Sequence, residues 1–118
     1  MVRIPVPGAP VRGSKSGSPI MALFDLLGRR WAMGVVWSLS EHGPCTFREL
    51  EAACETISPA VLNTRLKELR AAGLVVKQED GYAVSKLGRE VYTHLLPLSA
   101  SARKWAAWIR RNADRDQA

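Results

Sequence analysis

ISPAVLNTRLKELRAAGLV, residues 57–75, is the stretch whose reading decides the fold of this 118-residue chain. Ser58 is placed to cap a helix, and Pro59 sits at the first helical position, where its missing N–H costs nothing. Ile57 and Leu62 occupy the two positions of a hydrophobic staple. Gly73 stops the helix because it tolerates the left-handed conformation that other residues resist. The segment therefore predicts a helix over residues 58–72 with Leu62, Leu66 and Leu69 as its buried stripe. A turn of about 100° per residue then puts Ala60, Asn63, Thr64, Lys67 and Ala71 on the outward side, with Arg65 and Arg70 flanking them.

The residues upstream supply a partner for this helix. Thr46 and Glu49 have the spacing of a capping box, and Phe47, Leu50 and Cys54 recur on one face. Only Glu55, Thr56 and Ile57 separate that helix from the next. Before it, His42, Gly43 and Pro44 break an almost uniformly apolar helix over residues 30–41, which carries Trp31, Met33, Val35, Val36, Trp37 and Leu39 and reads as the central core element. A short helix over residues 20–27 precedes it, with Ile20, Leu23, Phe24 and Leu27 at helical spacing and Gly28 as its stop.

Downstream, residues 74–77 and 82–84 read as two short strands around Asp80-Gly81, in a loop that can exceed two residues. Ser85 caps a helix running to Leu96 and Pro97 interrupts it. A last helix over residues 98–111 carries Leu98, Ala102, Trp105, Ala106 and Ile109 on one face, with Trp108 at its edge. Two helices joined by three residues, followed at once by a β-hairpin, is the order of a winged helix-turn-helix: a mainly α fold with one small hairpin, whose second helix enters the major groove. On that helix Ala60 allows close approach, Asn63 can contact adenine bidentately, and Thr64 and Lys67 can reach base edges or phosphates. Ser58 and Pro59 open the same surface, and Arg65 and Arg70 are suited to phosphates.

Bulk properties agree. The net charge is +6 and the sequence pI about 9.9, which favours a polyanionic partner, nucleic acid first and an anionic membrane second; the motifs narrow the first to double-stranded DNA. The length suits a single domain over residues 19–111. Residues 1–18 hold prolines, glycines and serines with Arg3, Arg12 and Lys15 and read as a flexible basic arm, and residues 112–118 as a disordered tail. No apolar run is long enough to cross a bilayer and no signal-peptide core is present, so the expected location is the cytoplasm, with no membrane partner. Cys45, Cys54, His42 and His94 match no zinc spacing. With no phosphate-binding glycine loop and no paired acid and base, neither a cofactor nor an enzymatic role is expected.

Four stretches, LFDLLGRRW (23–31), GPCTFREL (43–50), ISPAVLNTRLKELRAAGLV (57–75) and VSKLGRE (84–90), resemble the HxlR-type family of winged helix-turn-helix transcriptional regulators across residues 18–108. The resemblance implies a cytoplasmic bacterial regulator that binds an inverted-repeat operator as a homodimer through its first and last helices. On this chain those are residues 20–27 and 98–111, with Ile20, Leu23, Phe24, Leu27, Leu98, Ala102, Trp105, Trp108 and Ile109 at the interface. It also implies, in many relatives, a redox-sensing cysteine just before the proline that opens the first helix. Ser18 stands at that place here and cannot form a thiolate. Sensing would pass to Cys45, in a loop, or to Cys54, which reads as a core thiol. The wing departs too, since Glu79 and Asp80 at its tip repel phosphate and leave it little affinity to add.

Other readings of the same residues stand beside this one. The outward face of residues 58–72 can be simply solvated, and the fold can serve protein–protein interaction without DNA. A small-molecule effector can lie in an aromatic cleft between Trp31, Trp37, Trp105 and Trp108 at the dimer interface.

Overall fold

The computed structural model describes residues 2–116, and its helices follow the apolar periodicity closely. In order the elements are α1 (Pro19–Leu27), α2 (Ala32–His42), α3 (Phe47–Ala53), α4 (Pro59–Ala71), β1 (Val75–Gln78), β2 (Gly81–Val84), α5 (Lys86–Leu95) and α6 (Leu98–Asp116). The core forms where Val35, Val36 and Leu39 of α2 meet Leu50 of α3 and Leu62, Leu66 and Leu69 of α4, all essentially without solvent contact. Burying each such side chain contributes about 1.5–3 kcal/mol. Leu26, Leu27, Leu74 and Val75 close the cluster from the flanking elements.

The end signals act as their chemistry requires. Ser58 Oγ accepts from the Val61 amide at 3.2 Å, and the Thr46–Glu49 capping box is complete on both sides. Ser85 Oγ accepts from the Gly88 amide at 3.0 Å while donating to the Gly73 carbonyl at 2.6 Å, so one hydroxyl ties α5 to the end of α4. Gly73 takes φ 79°.

Most boundaries fall within a residue of expectation, and the departures are at α2, the hairpin and α6. α2 starts two residues late because Trp31 takes φ 72° as its N-cap, closing a turn in which the Ala32 amide donates to the Arg29 carbonyl at 2.9 Å. The hairpin loop is Glu79-Asp80, one residue earlier than Asp80-Gly81, with Gln78 paired to Gly81. Gly81 belongs to the strand because a Cβ there would overlap the Cys45 carbonyl, and Cys45 and Tyr82 exchange backbone hydrogen bonds of 2.9 and 2.7 Å. α6 continues through Asp116, so residues 112–116 of the expected tail are helical and residues 117 and 118 lie outside the described residues.

The N-terminal arm folds back on the body. Gly8 donates to the Gly17 carbonyl at 2.8 Å, the Arg12 amide donates to Asp25 Oδ2 at 3.0 Å, and Ile4 packs on the core. Composition predicts no periodic face here, and none forms; turns and side-chain anchors hold the segment instead. α6, by contrast, packs on no element to the extent that the others pack on one another. The radius of gyration is 16.3 Å, against about 13.5 Å for a compact chain of this length.

Candidate nucleic-acid interface

The outward side of α4 is built by default, as what remains after the leucine stripe is buried. Ser58, Pro59, Ala60, Asn63, Thr64, Lys67, Arg70 and Ala71 are all exposed. The Thr64 hydroxyl donates to the Ala60 carbonyl one turn back, at 3.0 Å. Its methyl and its remaining acceptor capacity are left to face outward.

Arg65 does not join that surface. Its Nε donates to the Arg30 carbonyl at 2.6 Å and its Nη1 to Glu68 Oε1 at 2.6 Å, which leaves the guanidinium half-buried and spent inside the fold. Glu68, with only 6% of its surface exposed, takes Arg29 on its other oxygen. Arg29 also donates to the Arg3 carbonyl at 3.0 Å. One buried carboxylate thus gathers two guanidiniums and fastens α4 to the left-handed turn before α2, where a non-glycine residue at positive φ costs of order 1–3 kcal/mol and needs its surroundings to hold it. Helical spacing puts Glu68 within reach of Arg65 but cannot show that this acid is buried or that the Arg30 carbonyl meets the same guanidinium.

Lys77 takes the place that Arg65 leaves. A groove of about 590 Å³ runs between the second half of α4 and β1, lined by Val2, Lys67, Arg70, Ala71, Val75, Val76 and Lys77. The Lys77 ammonium lies over the Tyr82 ring, 5.7 Å from its centroid. The base of the wing is therefore cationic although its tip, Glu79-Asp80, is acidic. Alternation puts Lys77 on the same side of β1 as the buried Val75, yet Lys77 is exposed beside Tyr82, its partner in the hairpin.

A second exposed surface is apolar. Ile20 and Phe24 on α1 and Leu98, Ala102, Trp105, Trp108 and Ile109 on α6 are exposed, Trp105 to 67%. Leu27 departs from this set, being buried in the core, and Leu23 is half-buried against the body. The four tryptophans share no cleft within the chain. Trp31 is half-buried against the core and Trp37 stands edge-on to Tyr92 with centroids 5.2 Å apart, while the α6 pair faces outward. Cys45 is also displaced from its expected role: it is buried, its thiol donates to the Gly43 carbonyl at 3.3 Å, and burial first, then Glu49 and Cys54, push it above the usual thiol value. Cys54 is buried in the core cluster with its thiol likewise pushed up by burial. Neither is a low-lying thiolate of the kind that redox sensing needs.

The profile of the HxlR-like helix-turn-helix family matches residues 26–110, from the end of α1 into α6. The chain belongs to that family. It is 33% identical over 93 residues to the HTH-type transcriptional regulator YvaP of Bacillus subtilis, covering 72% of this chain and 82% of that protein. It is 37% identical over 62 residues to the HTH-type transcriptional regulator BH0655 of Halalkalibacterium halodurans, covering 52% of this chain and 55% of that protein. Among solved structures it resembles quinone-bound YodB of B. subtilis, with 30% identity, 76% of this chain and 97% of that chain covered, and a TM-score of 0.62. HxlR-like proteins are DNA-binding transcriptional regulators of the winged helix-turn-helix type, and the buried stripe, capped helix pair and hairpin of this chain are the parts of that fold.

Proposed function

We propose that this HxlR-like regulator acts as a homodimer on an inverted-repeat operator, with α4 as the helix that reads the major groove. The observation that carries the reading is the exposed α4 face of Ala60, Asn63, Thr64 and Lys67 beside a groove bounded by Lys67, Arg70 and Lys77. Asn63 has the amide pair that matches adenine, and Ala60 leaves room for a base edge. Lys67, Arg70 and Lys77 supply charge to adjacent phosphates and fix the register without reading sequence. The wing thus contributes at its base and not at its tip.

Pairing of two copies is supported by the exposed apolar residues Ile20 and Phe24 of α1 and Leu98, Trp105, Trp108 and Ile109 of α6, of the kind that mark an interface. A two-fold dimer would present two α4 helices to half-sites about 34 Å apart, one turn of B-DNA. No helix is long and apolar enough to cross a membrane among the described residues, which agrees with action on DNA in the cytoplasm.

A gel shift at fixed salt tests this, comparing duplexes recovered by selection from a random pool with a scrambled duplex of equal length. An inverted repeat with half-site centres about 10 base pairs apart, bound at least 1000-fold more tightly than the scrambled duplex, is expected. Equal binding of both duplexes overturns the reading.

A further inference from the structure

An apolar cleft of about 280 Å³ lies where the N-terminal segment crosses the body, on the other side of α1 from Ile20 and Phe24. Ile4, Pro5 and Pro7 form its roof, Ala22 and Leu26 of α1 its wall, and Leu74 its floor. Leu87 of α5, 52% exposed, stands at its mouth. Every residue lining the cleft is aliphatic or proline, so no side chain there offers a hydrogen bond or a charge.

The roof is anchored on both sides. Arg29 holds the Arg3 carbonyl, the Arg12 amide holds Asp25, and Gly8 is bonded to Gly17. Two prolines with fixed φ stiffen it further. The space is therefore bounded by an anchored wall and not by a segment free to collapse into it. Residues 4–7, which form the roof, lie before the stretch that matches the family profile, residues 26–110.

We propose that this cleft is a binding site for an uncharged apolar small molecule of one or two fused rings. An apolar cavity of about 150 Å³ takes up benzene, so the larger volume here admits a bicyclic hydrocarbon. A charged ligand would lose its hydration with nothing to replace it. A ligand in the cleft rests on Ala72 and Leu74, which join α4 to β1, and so bears on both elements of the proposed DNA surface. That consequence rests on the function proposed above; the site itself does not.

The test is a titration of the methyl-labelled full chain with naphthalene and, separately, with naphthoate, followed by proton–carbon correlation spectra. Naphthalene is expected to cause saturable shifts at the methyls of Ile4, Leu23, Leu26, Leu74, Leu87 and Val91, with naphthoate at least about tenfold weaker. Ala72→Phe, which fills the space, and Ile4→Asp, which charges the roof and lies outside the helices, should each weaken naphthalene binding by about tenfold or more. No saturable shift, shifts confined to the α6 tryptophan face, equal affinity for naphthoate, or unchanged binding by Ile4→Asp each overturns the proposal. The titration contains no DNA, so its failure leaves the DNA reading standing.

Discussion

α4 and α6 are both amphipathic, yet one is complete within the chain and the other is not. α4 is capped by Ser58, stopped by Gly73, buried along Leu62, Leu66 and Leu69, and tied down through Glu68. α6 is the longer helix, at 19 residues, and leaves Leu98, Trp105, Trp108 and Ile109 exposed. Apolar residues at helical spacing state that a face will be covered; they do not state by which chain. The polar face of α4 is what stays open after its own core is satisfied, whereas the open face of α6 is the apolar one.

The sharpest way to break this contrast is to remove the α6 aromatics. With Trp105→Ser and Trp108→Ser combined, each substitution costing about 2 kcal/mol of dimer affinity with both copies counted, the dimer Kd should rise roughly a thousandfold while monomer stability barely moves. Sedimentation velocity across protein concentration reads this directly. A parent protein that is monomeric at micromolar concentration, or a variant that stays dimeric, removes the basis for treating α6 as half of an interface.

Glu68→Gln tests the other side of the comparison. It leaves the Arg29 and Arg65 guanidiniums facing one another without the carboxylate between them. Breaking a fully buried pair costs about 3–5 kcal/mol, but both arginines keep some solvent, so about 2–3 kcal/mol is expected from urea unfolding. A loss below about 0.5 kcal/mol, the usual range for surface changes, would mean that α4 is held by its leucines alone.

These two sites also mark what the sequence can and cannot tell. The α4 caps, its stripe and the order of elements are legible because they depend on neighbours within a few residues. Arg65 reads as a flanking surface arginine because the Arg30 carbonyl that holds its Nε is 35 positions away, although Glu68 lies one turn on in the same helix. Leu27, assigned to the dimer interface by the family resemblance, is instead buried in the core cluster with residues of α2 and α4. Cys45 lies in a loop by sequence and is buried by its bridge to Tyr82, a contact across 37 positions, 82 − 45, that no local pattern encodes. The arm shows the same limit, since its anchors Asp25 and Arg29 belong to other segments.

On the outward side of α4, two neighbouring residues should fail in different ways. Asn63→Ala is expected to relax preference at one base position by about 1–3 kcal/mol, with the salt dependence of binding unchanged. Lys67→Ala should weaken all duplexes alike and reduce the salt slope by about one. Binding isotherms on matched and single-substituted duplexes over a range of salt separate the two outcomes. Identical behaviour would show that the α4 face reads only the backbone.

The smallest effect concerns how α3, the helix that precedes α4, is fastened. The Thr46 amide donates to Glu49 Oε1 at 2.9 Å, and this bond, then the Thr46 hydroxyl, holds the Glu49 carboxyl below its ordinary value of 4.5. A carboxyl depressed in the folded state stabilises it fully above 4.5, and the contribution fades as pH falls through that value toward the lower folded one. Glu49→Gln keeps an acceptor but does not titrate. The parent's urea midpoint should therefore exceed the variant's at neutral pH, and the gap should close on acidification below 4.5. α6 contributes nothing to this difference, because its exposed apolar face does not titrate. A gap that persists unchanged in acid would assign the effect to the shape of the Gln side chain and not to the charge in the capping box.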